Sequence, residues 1–293
     1  MYAPHRRILN ASYLLEEGSM APPPGGSIRL GHVSDIHVGA TDDVALDGLA
    51  EDLHAAGVVA TVVTGDLTMR ARTHELVRAR QVIDELPAPA MVVMGNHDIP
   101  LTNPFRRLAS PYDKFRSQVS ADFDPVLDIG MVRIQGLDSM PRWRWKSGRI
   151  SDRQSALVIS TFAGAPTGTV RIVALHHPPS SDQAASIAGG DDFEKALVEA
   201  EVDIVLAGHT HVPSVRVLDV GSGDRTRPII ENIAGTATSH RTRESLRSWS
   251  QLDITASTVT VTQHLSDTDG WRPGPVQEFA LPPGTHLSGP AAG

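Results

Sequence analysis

No cysteine occurs among the 293 residues, so the chain can form no disulfide and can offer no thiolate to a metal. Any metal must be held by imidazole, carboxylate or amide groups. Aromatic residues are scarce too, at 4% of the chain, which makes its 4 tryptophans conspicuous. No apolar run reaches the roughly 18 residues of a membrane-spanning helix, so no membrane partner is expected. Arg6 and Arg7 stand near the start, but residues 8–18 lack the sustained apolar core of a secretory signal. These absences point to a cytoplasmic protein. Positive charge is also short: 26 Lys and Arg face 34 Asp and Glu, a net charge of −8. General binding to nucleic acid phosphates is therefore not expected.

What the chain does have is concentrated in five short islands. They are Asp35-Ile36-His37, Gly65-Asp66, Gly95-Asn96-His97-Asp98, His176-His177-Pro178 and Gly208-His209-Thr210-His211. Each follows an apolar, β-branched run: 28–33, 58–63, 91–94, 170–175 and 202–206. Such runs read as buried strands, and ligands of open α/β sheets gather outside the strands' carboxyl ends. The spacing predicts that the islands converge on one sheet edge. Periodic apolar patterns predict helices over 42–56 and 73–86, and another over 192–200. Ser151 with Gln154 three residues later has the pattern of a capping box at a further helix. After His211 the pattern shortens and alternates over 214–218, 228–233, 250–254 and 258–263, which predicts a second, mostly antiparallel sheet. No internal repeat and no linker divides the middle of the chain.

One island alone means little, since Gly-Asp is an ordinary turn and Asp-x-His arises by chance. The five in this order resemble the calcineurin-like metallophosphoesterase superfamily over about residues 28–265, and most closely its bacterial cyclic nucleotide phosphodiesterases. The resemblance implies an α/β fold: a four-layer α/β/β/α sandwich with two central mixed sheets and a dinuclear metal site at the strands' C-terminal ends. It implies one catalytic domain over 27–281, between a loose N-terminal arm (1–26) and a loose C-terminal tail (282–293). Asp35, His37 and His211 would hold one divalent cation, Asn96, His176 and His209 the other, and Asp66 would bridge them. Cations about 3.5–4 Å apart repel, and a shared carboxylate reduces that repulsion. Manganese or iron is expected, and zinc also suits mixed oxygen and nitrogen donors.

The implied reaction is hydrolysis of phosphodiesters by a metal-activated water or hydroxide. His97 is the expected catalytic group at the departing oxygen, with Asp98 orienting or charging it. Asn96, His97 and His177 are expected to meet the substrate; the family pattern makes His176, not its neighbour His177, the ligand. The expected partner is a small phosphodiester, best a 3′,5′-cyclic nucleotide, and a homo-oligomer is compatible with the sequence. The alternatives are glycerophosphodiester or nucleic acid substrates, or a non-catalytic metal-binding scaffold for protein partners.

Other segments can set the substrate. Residues 99–125 carry Arg106, Arg107, Tyr112, Lys114 and Arg116, which can meet a phosphate or solvate a helix. Met140-Pro141-Arg142-Trp143-Arg144-Trp145-Lys146 can stack a base beside a phosphate, or pack its tryptophans under a loop. His32 and His240 can approach the site, while His5, His54, His74, His264 and His286 are not expected to be ligands. Residues 235–239 are expected to line the pocket.

Overall fold

Two six-stranded sheets lie face to face in the computed structural model, which describes residues 26–101, 103–179, 187, 190–243 and 245–282. The chain begins with β1 (Ile28–Val33), α1 (Asp43–Ala55), β2 (Ala60–Thr64), α2 (Thr73–Glu85) and β3 (Ala90–Val93). Two short helices follow, α3 (Pro104–Ala109) and α4 (Asp113–Gln118). Next come β4 (Val126–Ile129), β5 (Val132–Leu137), α5 (Asp152–Ala163), β6 (Val170–Leu175), α6 (Gly190–Glu199) and β7 (Ile204–Ala207). Five strands close the fold: β8 (Ser214–Ser222), β9 (Arg225–Ile233), β10 (Arg247–Ile254), β11 (Thr258–Asp267) and β12 (Gly270–Ala280).

The first sheet runs β12-β11-β10-β1-β2-β3 and the second β4-β5-β6-β7-β9-β8. Strands β1, β2 and β3 are parallel, as are β5, β6, β7 and β9, and antiparallel strands flank both sets. Both sheets are thus mixed. Leu30, Val62, Ile134, Ile172 and Ile204 fill the space between them. Outside the first sheet, α1, α2 and α4 contribute Leu49, Leu53, Leu76, Val82 and Phe115 to a second core. Outside the second, α5 and α6 contribute Val158, Phe162, Phe193 and Leu197 to a third. The result is the expected four layers, and truncating a side chain such as Phe162 to alanine would cost ~3–5 kcal/mol.

Local signals set the elements between the motif strands. Asp42 caps α1 by accepting from the Ala45 N–H at 3.0 Å. Ser151 and Gln154 form the expected capping box: Ser151 N–H donates to Gln154 Oε1 at 3.1 Å, and Gln154 N–H to Ser151 Oγ. One expectation is overturned: the segments after His211 do not build a sheet of their own. Strands β10–β12 continue the first sheet along the free edge of β1, and β8–β9 extend the second. Pairing Leu30 with Leu252 and Ile28 with Ile254 buries both partners in the inter-sheet core, which a separate sheet would leave open. Among the described residues no helix is long and apolar enough to cross a membrane. Apart from Gly26 and Pro282, the expected arm and tail lie outside the described residues.

Candidate metal centre

Every motif stands just past the C-terminal end of a strand. Asp35 and His37 follow β1, Asp66 follows β2, Asn96 follows β3, His176 follows β6, and His209 and His211 follow β7. Turning donors inward there demands unusual backbone. Of the 7 described non-glycine residues with positive φ, 5 belong to this set: Asp35 (53°), His37 (52°), Asp66 (50°), His209 (70°) and His211 (61°). Each such residue costs ~1–3 kcal/mol and persists only where its surroundings enforce it. Two glycines allow the turns to approach. A Cβ on Gly95 would lie 2.2 Å from Asp66 Oδ1, and one on Gly208 would lie 1.8 Å from Ser34 Oγ.

The donors form two groups. In one, His211 Nε2 lies 3.1 Å from both His37 Nε2 and Asp35 Oδ1. In the other, His176 Nε2 lies 3.2 Å from both Asn96 Oδ1 and His209 Nδ1. Asp66 Oδ2 sits between them, 3.7 Å from His37 Nε2 and 3.4 Å from His176 Nε2. Both carboxylates are anchored through their other oxygen. Asp35 Oδ2 accepts from Ser34 Oγ at 2.6 Å and from His209 N–H at 2.9 Å; Asp66 Oδ1 accepts from His97 N–H at 2.8 Å.

Ring orientation shows what this arrangement lacks. Nδ1 of His211 donates to the Arg241 carbonyl and Nδ1 of His176 to the Thr64 carbonyl, both at 2.7 Å. A carbonyl only accepts, so in the neutral rings Nε2 carries a lone pair, and these lone pairs face carboxylate oxygens. Acceptor faces acceptor unless a proton or a cation lies between. Asp35 Oδ1 is moreover buried without an aligned hydrogen-bond donor. The electrostatics agree: burial would lower the His176 pKa, but the Asp66 carboxylate overrides it and raises it to about 9. His211 is likewise raised against its burial, by Asp35. Burial would raise both carboxyls, yet His211 holds Asp35, and His176 holds Asp66, well below the usual range. Divalent cations would satisfy the same lone pairs and carboxylates, and ring N–H groups on backbone carbonyls are the usual orientation of metal-binding histidines. The residues present fit two such ions.

Of the other expected residues, His97 lies beside the donor cluster, and Asp98 does not touch its ring. The His97 ring packs edge-on against His37 at 4.9 Å between centroids, and its Nδ1 donates to the Met69 carbonyl at 2.8 Å. Burial lowers its pKa, against the pull of Asp66. Asp98 instead accepts from the Thr68 and Gly95 N–H groups at 2.9 and 3.0 Å, so it braces the turn. His177 is buried with both nitrogens engaged, Nδ1 with Ser139 Oγ at 2.8 Å and Nε2 with the Lys146 carbonyl at 2.9 Å. It has no nitrogen to offer a substrate. Arg107 neither meets solvent nor offers itself to phosphate: it is buried and donates to three carbonyls. His32 is bonded to Thr64 and Asn232, and His240 is exposed near Asp42. Thr236 and Thr238 brace the Asp35 turn by donating to the carbonyls of Asp35 and Ile36.

Arg241 was not signalled by any local pattern. Its carbonyl orients His211, and its guanidinium reaches Met69 Sδ at 3.9 Å, close enough to His97 to help lower that pKa.

The family model of calcineurin-like phosphoesterases matches residues 28–213. A probable cyclic nucleotide phosphodiesterase of Synechococcus sp. is 27% identical over 202 residues, 63% of this chain and 74% of that protein. Purple acid phosphatase PPD1 from yellow lupin (Lupinus luteus) seeds superposes with a TM-score of 0.64 at 15% identity, covering 87% of this chain. This chain spans about half of the lupin protein, 54% of its length. PhoD gives a TM-score of 0.64 at 10% identity, over 88% of this chain and 70% of its own. At such identities the two structures share the fold alone.

Proposed function

The chain belongs to the calcineurin-like phosphoesterase family, and on that premise we propose that it hydrolyses phosphodiesters with two divalent cations, 3′,5′-cyclic nucleotides being the leading substrates. Similarity to the probable cyclic nucleotide phosphodiesterase of Synechococcus supports the substrate class. The observation that carries the reading is Asp66, anchored through Oδ1 while Oδ2 faces both donor groups within 3.7 Å. Asp35, His37 and His211 would hold one cation, Asn96, His176 and His209 the other, and Asp66 both. Manganese or iron suits this donor set, as does zinc. When bound, the ions supply positive charge to the phosphate oxygens and lower the pKa of a water for attack on phosphorus.

The chain's own residues orient and move protons. The carbonyls of Thr64 and Arg241 fix two rings with Nε2 inward. His97, with Nδ1–H on the Met69 carbonyl, has Nε2 to exchange a proton with the departing oxygen. Asp98 holds the turn that aims it. Arg241, which has no carboxylate partner among the described residues, is available to an anionic phosphate.

The test is hydrolysis of 3′,5′-cyclic AMP and of bis(p-nitrophenyl) phosphate by manganese-loaded protein, with metal counting by mass spectrometry and Asp66→Ala as control. Asp66-dependent turnover of cyclic AMP is the expected result. Cleavage of the aryl diester alone would overturn the nucleotide assignment, and metal binding without hydrolysis of either would make the protein a scaffold.

A further inference from the structure

Two segments distant in sequence form one surface beside the metal centre. Helix α3 exposes Phe105 (85%) and Leu108 (60%), and the turn over 141–147 exposes Trp143 (63%) and Trp145 (48%). Phe105 and Leu108 are three residues apart and share a helix face. Arg107 points the other way, and its guanidinium donates to the carbonyls of Pro100 at 3.0 Å, Arg142 at 2.9 Å and Arg144. The same guanidinium lies 4.5 Å from the centre of the Trp145 ring. Arg142 in turn donates to the Leu108 carbonyl at 3.0 Å. At the far end of the turn the Lys146 carbonyl accepts from His177, whose ring lies 4.6 Å from that of His209. The turn is thus fastened to α3 on one side and to the metal centre on the other.

Within the two stretches themselves the charge is opposite to that of the molecule. The chain carries −8, yet residues 99–110 and 139–150 contain six Arg and Lys and no Asp or Glu. Of these Arg106, Arg142, Lys146 and Arg149 are exposed. We propose that this surface docks the protein on an anionic bilayer, its four apolar tips entering the headgroup region and its cations meeting lipid phosphates. Aromatic and aliphatic tips flanked by Lys and Arg are what that region accommodates. A symmetric dimer through the same patch would set cations against cations. Base stacking suits it less, because Arg107 covers one face of Trp145 and neither Phe105 nor Leu108 stands in a groove. Such docking departs from the expectation of no membrane partner, which rests on the lack of a long apolar run. It is independent of the hydrolytic reading, and it would bring the metal centre within reach of phosphodiesters at a membrane.

The test is cosedimentation of the full chain with vesicles of phosphatidylcholine alone or with added phosphatidylglycerol, paired with quenching of tryptophan emission by brominated lipid. At least about tenfold stronger binding to the phosphatidylglycerol vesicles is expected, weakening with salt. Arg106→Glu with Lys146→Glu should lower it by at least about fivefold for each cation removed. Phe105→Ser with Leu108→Ser should lower it about tenfold or more. Both variants should cleave a soluble aryl diester like the wild type if that activity is present, and should keep its thermal midpoint. Wild-type protein that ignores phosphatidylglycerol, variants that bind as well as wild type, or a patch that instead binds single-stranded RNA would each overturn the proposal.

Discussion

Asp66 and Asp138 both stand at strand ends, one after β2 and the other after β5, the first buried and the second half-buried, yet they end in opposite states. Burial alone raises a carboxyl pKa. Around Asp66 the imidazole of His176, followed by those of His97 and His37, reverses that push and holds the group well below its usual range. Around Asp138 the opposing help is one Met140 N–H, and the nearby Asp124 carboxylate adds to the burial effect, so its pKa rises to about 7. Asp98, two residues from Asn96, resembles Asp138: burial and then the Asp66 charge push it to about 7. The presence of acids does not make a cation site. Lone pairs turned inward do, and here they come from rings fixed by backbone carbonyls and from corners with positive φ.

Removing Asp66 should break the comparison most completely. Asp66→Ala takes the shared oxygen from both donor groups, and the loss of turnover should far exceed the ~10–100-fold cost of an outer partner. Metal analysis should show fewer than two ions per chain; two retained ions with normal activity would refute the bridging role. His97→Ala should keep both ions and lower turnover by ~10²–10⁴. Its loss should shrink for good leaving groups such as p-nitrophenolate, and an equal loss for all leaving groups would count against proton donation from Nε2. Arg241→Gln should be milder still, raising KM about tenfold with little change in kcat, the scale of one charge-assisted hydrogen bond. An unchanged KM would leave Arg241 only its carbonyl's role in orienting His211.

Most of the donor set was legible because each donor lies within a few residues of a strand end, and a strand end is a local pattern. What sequence adjacency misjudged were the neighbours. Asp98 follows His97, but the turn aims its oxygens at the N–H groups of Thr68 and Gly95. His177 follows His176 and its ring lies 4.9 Å from that of His176, but both its nitrogens are taken up by Ser139 and Lys146. Arg107 reads as a surface cation until the fold brings carbonyls 35 and 37 positions away around it. The partition of the late strands depended on which edge was free, a property of the sheet and not of the segment. Strand β12 escaped notice because Pro273, Pro275 and a mostly exposed face suit an edge strand and erase its alternation.

Asp138→Asn sharpens the comparison with the smallest effect, through its sign. In the folded protein Asp138 binds its proton up to about pH 7, whereas in the unfolded chain it releases it near the ordinary value of 3.8. Between those values the folded state holds more protons, so this group makes stability fall as pH rises. The full shift would correspond to about 4 kcal/mol; because Asp138 is only partly hidden from solvent, ~1–2 kcal/mol is expected. Asparagine keeps an acceptor for the Met140 N–H and carries no charge. Urea midpoints of the metal-free protein should therefore match wild type near pH 4 and exceed it near pH 8. Asp66→Asn should run the other way: the depressed carboxyl contributes stability above its unfolded pKa and loses it as pH falls, so that variant should be the weaker one near pH 8 and approach wild type in acid. Parallel pH profiles for the two variants would mean that the imidazoles around Asp66 do not distinguish it from Asp138.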